Sequence, residues 1–158
     1  MSESIINNYQ NRCVQTLDQH LEAENQHDLE AILETYGNAP QVHVNGDAFV
    51  GIEKVRFFHD RFGFGGKGSF SQIQVHEKNR YITESVIIIE QELTAVHTST
   101  WQDYEPTGKR FTIPVCTVYS FDADGKLARE DVYFDSYRLR KQLGLIDFSD
   151  SNIYPSQS

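Results

Sequence analysis

The feature that most restricts the folds open to this chain is a block of three strand-like runs, residues 94–101, 110–121 and 127–134. In each, β-branched and aromatic residues alternate with polar ones. Two turn sequences join the runs. Glu105-Pro106-Thr107-Gly108-Lys109 places proline where φ must be fixed and glycine where φ must be positive, and Asp122-Ala123-Asp124-Gly125-Lys126 repeats the late glycine. Both read as three-residue hairpin loops closed by a G1-type glycine, so the block is an antiparallel meander.

Counting back from these turns sets a register. It predicts His97 opposite Thr117 and Thr117 opposite Asp131, on one face with Trp101, Tyr119 and Tyr133. The other face, with Val96, Cys116, Val118 and Val132, is small and apolar. The first face is expected to line a ligand pocket and the second to pack or to pair two copies in a homodimer. Backbones two strands apart are separated by about 10 Å, so a water or a small substrate fits between His97 and Asp131.

The rest of the chain supplies helices. Ile6, Tyr9, Cys13, Leu17 and Leu21 recur at helical spacing over residues 4–24. A second helix starts at the N-cap Asp28, carries Leu29, Ile32, Leu33 and Tyr36, and is stopped by Gly37-Asn38-Ala39-Pro40. Residues 41–45 form a short strand, and a third helix opens near Gly51 with Ile52, Val55, Phe58 and Phe62 on one side. Gly63-Phe64-Gly65-Gly66-Lys67-Gly68 matches the letters of a dinucleotide fingerprint but follows a helix and leads into a strand, so it is a helix stop. Residues 69–78 and 81–93 pair around Asn79-Arg80, and a short last helix spans 136–143 before Gly144. Helices followed by a meander make an α+β domain over residues 1–146, with a polar tail over 147–158.

Several function classes are excluded by composition. A net charge of −9 without a basic stripe predicts no nucleic-acid partner. The longest plain apolar run, residues 86–89, cannot span a bilayer, and the first residues carry no basic and apolar leader. Cys13 and Cys116 lack a CxxC context, as expected of reduced thiols in a cytoplasmic protein. His59-Asp60 and His76-Glu77 lack metal-ligand spacing and read as surface pairs, so no metal and no cofactor is expected.

The helical opening, then VHVNGDAFVGIEKV, HTSTWQDYEPTGKRF and DGKLAREDVYFDSYRLRKQLGL together resemble the NTF2-like superfamily, and within it the SnoaL-like, polyketide cyclase-like group. The resemblance implies a cone in which three N-terminal helices pack on a strongly curved mixed sheet, with a short C-terminal helix. It also implies a hydrophobic pocket for a small molecule. Where cyclase-like members carry an acid on the fourth strand this chain has Thr117, and where ketosteroid isomerases carry a base it has Val42-His43-Val44-Asn45.

Two functions follow as alternatives. In the first, the protein is an acid/base enzyme (isomerase, cyclase, dehydratase or hydrolase) acting on a hydrophobic or cyclic substrate. Asp131 moves the proton, His97 relays it, and Tyr36, His43, Trp101, Thr117, Tyr119 and Tyr133 bind the substrate. In the second, the same cone serves a non-catalytic ligand-binding or homodimerisation module.

Overall fold

The computed structural model describes residues 3–146. Helix α1 (Glu3–Gln26) packs the expected residues Cys13 and Leu17 into the core, and its buried face then continues through two polar residues, His20 and Glu24. Helix α2 (Leu29–Glu34) starts where Asp28 accepts a hydrogen bond from the Ala31 amide. It ends earlier than its sequence suggests. The Thr35 carbonyl accepts from the Leu127 amide, which pulls Tyr36 out of the helix and into strand β1 (Tyr36–Val44).

Strand β1 is longer than expected and is followed by a strand that the sequence reading passed over. Asn45 and Gly46, with φ of 49° and 95°, form the two-residue loop that leads into β2 (Asp47–Val50). Two successive positive φ values are the mark of a type I′ hairpin, for which Asn-Gly is the favoured pair. Helix α3 (Ile52–Phe62) follows directly and ends at Gly63, whose φ of 128° carries the chain into strand β3 (Phe70–Ile82). A side chain on Gly63 would run into the Phe70 carbonyl, so this glycine serves a close helix-to-strand turn.

Strand β4 (Val86–His97), strand β5 (Arg110–Phe121), strand β6 (Leu127–Phe134) and helix α4 (Ser136–Leu143) complete the chain. The β3–β4 turn lies at residues 83–85, not at Asn79-Arg80, which are still within the ladder. The sheet order is β2-β1-β6-β5-β4-β3, with β1 and β6 parallel and all other pairs antiparallel. Register shifts within β3 and near the start of β6 bend the sheet, and α1, α2 and α3 pack against its strands. This is the α+β cone that the resemblance implies. Asp135 caps α4 by accepting from the Arg138 amide, and Gln142 ties that helix to Thr112 through two hydrogen bonds of 2.8 Å. No helix among the described residues is long and apolar enough to cross a membrane. The polar tail expected over 147–158 lies outside the described residues.

The two register expectations fare differently from the strands themselves. His97 pairs with Lys109, and Ile89 sits opposite Thr117. The reason is the 98–108 segment. Its backbone turns away to bond Ser69 and closes on itself at Trp101 and Tyr104, so Thr98 to Trp101 do not extend the ladder. At the other turn the expected Asp122 to Lys126 hydrogen bond is present at 2.9 Å, with Gly125 at φ 80°. One step later the pairing goes from Phe121–Leu127 to Ser120–Arg129, which leaves Ala128 as a bulge residue. The bulge inverts the faces of β6. Glu130 lies opposite Tyr119, and Asp131 lies opposite Val118 rather than Thr117.

Candidate functional site

Between the helices and the inner face of the sheet is a cavity of ≈ 40 Å³. A void of that size holds a few waters and is far smaller than an organic-ligand pocket of roughly 300 Å³ or more. Its wall is mainly aliphatic and phenylalanine, with the polar residues Glu24, Gln91, Thr117, Tyr119 and Glu130 at one side. Val44, Phe58, Phe62 and Phe134 border both this cavity and an outer groove of ≈ 540 Å³ that reaches Trp101 and Arg140. The phenylalanines therefore form a partition between a small, mainly apolar chamber and a wide mouth.

Behind the chamber four ionisable side chains are sealed from solvent: His20, Glu24, His59 and Glu130. His20 and Glu24 lie one turn apart on α1, His59 is on α3 and Glu130 on β6. His20 Nε2 is 3.2 Å from Glu130 Oε1 and 3.4 Å from Glu24 Oε1. Its Nδ1 meets Thr35 Oγ1 at 2.8 Å, and that hydroxyl donates in turn to the Ile32 carbonyl at 2.6 Å. The Thr35 hydrogen is thereby committed, so His20 Nδ1 is a donor. Tyr36, the first residue of β1, gives its hydroxyl hydrogen to Glu130. His59 Nδ1 donates to the Val55 carbonyl at 2.9 Å. This leaves His59 Nε2 as a buried lone pair with no hydrogen-bond partner among the described residues.

The charges follow from these contacts. Burial alone would lower the His20 pKa, but the Glu130 and Glu24 carboxylates outweigh it and push it up to about 10. Burial works to raise the Glu130 pKa, and the neighbouring His20 prevails and holds it below the usual range. Near neutrality the pair is imidazolium and carboxylate. His59 is driven down, first by burial and then by the cation on His20 despite the pull of Glu130, and stays neutral. Tyr36 is pushed well above its ordinary value by burial and then by Glu130, so its phenol remains a donor.

The residues expected from sequence are distributed between two faces. Thr117 and Tyr119 line the chamber, and Tyr36 lies in the buried cluster. Asp131 does not reach the chamber. It accepts two hydrogen bonds, of 2.6 and 2.8 Å, from the Arg129 guanidinium on the opposite face of the sheet, because the Ala128 bulge shifted the strand. His43 is level with Asp131 on that same outer face and meets Gln41, and Tyr133 projects there 52% exposed. His97 is buried at the far end of β4 against Phe70, where its Nδ1 accepts from the Thr107 amide at 3.2 Å. Burial lowers its pKa. Trp101 stands at the outer groove, 5.5 Å from the Phe70 ring, with the Arg140 guanidinium 6.0 Å from its own ring.

Sequence reasoning therefore missed His20, Glu24, His59 and Glu130, and it placed His59 on the surface. Signals for three of them were present. On α1 the buried spacing 13, 17, 20, 24 runs on through an i, i+4 His-Glu pair, and on β6 the apolar residues change parity between Leu127 and Val132, as a bulge between them produces.

The profile of the SnoaL-like domain family matches residues 17–130. Solved structures share the fold. A protein of Jannaschia sp. CCS1, provisionally assigned as a SnoaL-like polyketide cyclase, superposes with a TM-score of 0.75 at 18% identity, covering 87% of this chain and 94% of its own. An LEH-like epoxide hydrolase of M. tuberculosis superposes with a TM-score of 0.66 at 16% identity, over 84% of this chain and 90% of its own. A protein of Catenulispora acidiphila DSM 44928 with a ketosteroid isomerase-like fold, in complex with trimethylamine, superposes with a TM-score of 0.68 at 13% identity, over 83% of this chain and 93% of its own. No curated protein matches by sequence.

Proposed function

The chain belongs to the SnoaL-like domain family, and on that premise we propose that it is a small-molecule enzyme whose acid/base step takes place at Glu130. The observation that carries this reading is that the Glu130 carboxylate borders the chamber while His20 and Tyr36 hold it from behind. An ionised carboxylate in a water-poor chamber can take a proton from a substrate carbon or from a trapped water. The carboxylic acid so formed can return that same proton to the developing alkoxide or enolate, while the His20 imidazolium behind it steadies the carboxylate that is regenerated. Thr117 and Tyr119 in the same wall supply hydroxyl donors for that oxygen.

The substrate would be hydrophobic or cyclic. Its apolar body would lie in the outer groove against Phe49, Phe57 and Trp101, and its reacting carbon or oxygen would pass the phenylalanine partition. Cyclisation, dehydration and epoxide opening all fit, since each needs one proton removed and one delivered within a few ångströms. A panel of cyclic ketones, hydroxyketones and epoxides, with products read by mass spectrometry, tests the reading. Wild type should convert at least one member, and Glu130→Gln should lose roughly a hundredfold or more. Equal conversion by both proteins would refute it. Saturable binding without any conversion would support instead the ligand-binding module. Pairing of two copies through the outer sheet face stays part of the proposal, resting on exposed Tyr81 and Tyr133; a monomeric mass in solution would end it.

A further inference from the structure

The buried cluster at the chamber floor holds more ligating atoms than an acid/base pair requires. His20, Glu24, His59 and Glu130 each offer one nitrogen or oxygen, and these atoms lie within 4.8 Å of one another. We propose that the four residues form a binding site for a divalent transition-metal cation of the zinc, cobalt, manganese or iron(II) type, with one coordination position open to the chamber. The proposal rests on the same floor as the acid/base reading but does not require that reading to be correct.

Metal-ligating histidines almost always give their other ring N–H to a backbone carbonyl, a carboxylate or a comparable acceptor, which fixes the tautomer and aims the lone pair. Both rings here do so. His59 Nδ1 donates to the Val55 carbonyl at 2.9 Å and His20 Nδ1 to Thr35 Oγ1 at 2.8 Å, so each Nε2 is turned towards the cluster. His59 Nε2 is the most telling atom. It is fully buried, has no hydrogen-bond partner among the described residues, and no role in the proton-transfer scheme.

In a tetrahedral site with bonds of about 2.0–2.1 Å, neighbouring donor atoms are roughly 3.3–3.4 Å apart. His20 Nε2 stands 3.4 Å from Glu24 Oε1 and 3.2 Å from Glu130 Oε1, two edges of such a figure already in place.

Two imidazoles with two carboxylates select borderline transition metals over calcium or magnesium, which prefer all-oxygen shells. Since Glu24 and Glu130 also border the chamber, the ion would be reachable by a water or by a substrate oxygen, as in catalytic rather than closed structural sites.

The test uses the full chain, stripped with chelator and titrated separately with Co²⁺ and Zn²⁺. The proposal expects one ion per chain by calorimetry and an intense visible absorption for the cobalt form, the sign of low-symmetry four- or five-coordination. Glu24→Gln and His59→Gln should each weaken uptake at least tenfold, with unchanged far-UV circular dichroism. Should either variant misfold, the wild-type cobalt spectrum decides alone. No saturable uptake by wild type up to millimolar ion, or uptake equally strong in both folded variants, would overturn the site. Conversion of substrate by the stripped protein, lost in Glu130→Gln, would leave the acid/base reading intact whichever way the metal titration falls.

Discussion

Tyr36 at the start of β1 donates its hydroxyl hydrogen to Glu130 in the middle of β6, a bond between residues 94 positions apart that closes the cone at its buried end. Their strands run parallel, and the contact forms in a place sealed from water. The phenol cannot ionise there and the carboxylate is always ionised near neutrality, so the bond is charge-assisted.

That relationship gives the first prediction. Tyr36→Phe removes a hydrogen bond to a charged group and should cost about 1.5–3 kcal/mol in denaturant unfolding. Glu130→Gln leaves the His20 cation without a main partner and should cost more, about 3–5 kcal/mol. The double variant should be less destabilised than the sum, since the residues share one network. Strict additivity would mean that the contact is not made in solution.

Asp131 is expected to be dispensable. Its partner Arg129 is well exposed on the outer face, where water and salt screen the pair. Asp131→Asn should leave the denaturation midpoint, substrate conversion and cobalt uptake at wild-type values. A hundredfold loss of conversion would return the proton-transfer role to the residue first expected from sequence.

His97 supplies a pH dependence with a definite sign. Burial holds its folded pKa below the unfolded value near 6.5, and its Nδ1 lone pair is already engaged by the Thr107 amide. Unfolded chains therefore bind the proton first. Its contribution to stability is complete above about pH 6.5 and is lost as pH falls through the lower folded value, at up to about 1.4 kcal/mol per pH unit. Urea midpoints at pH 7 and pH 5 should fall further in wild type than in His97→Gln. Parallel curves would show that the histidine is free to protonate in the folded protein.

The phenylalanine partition makes a fourth expectation. Phe62 packs 5.8 Å from Phe58 and 5.3 Å from Phe64, and borders both chamber and groove. Phe62→Ala should join the two spaces and cost about 2–4 kcal/mol, a little less than loss of a fully buried phenylalanine. A solvatochromic dye should bind it at least several-fold more tightly than wild type. Unchanged dye binding would show that the neighbours collapse into the gap.

Much of the architecture was legible in the sequence. Helical spacing on α1 and α3, the Asp28 cap, the Asp122–Lys126 turn and the alternation on β5 are local signals, each fixed by neighbours within a few residues. The inward orientation of Thr117 and Tyr119 came with them.

What only the tertiary structure decided is which faces and elements meet. A single bulge residue, Ala128, reverses two-residue alternation and exchanges Asp131 for Glu130 at the chamber. The 98–108 segment leaves the ladder because Ser69, nearly thirty positions earlier, offers it hydrogen bonds that no local pattern announces. His20, Glu24, His59 and Glu130 come from two helices and a strand far apart in the chain. Local propensity determines how each segment is shaped, but the position of one side chain relative to another across the core depends on register and packing, and these are settled only when all the segments compete for the same interior.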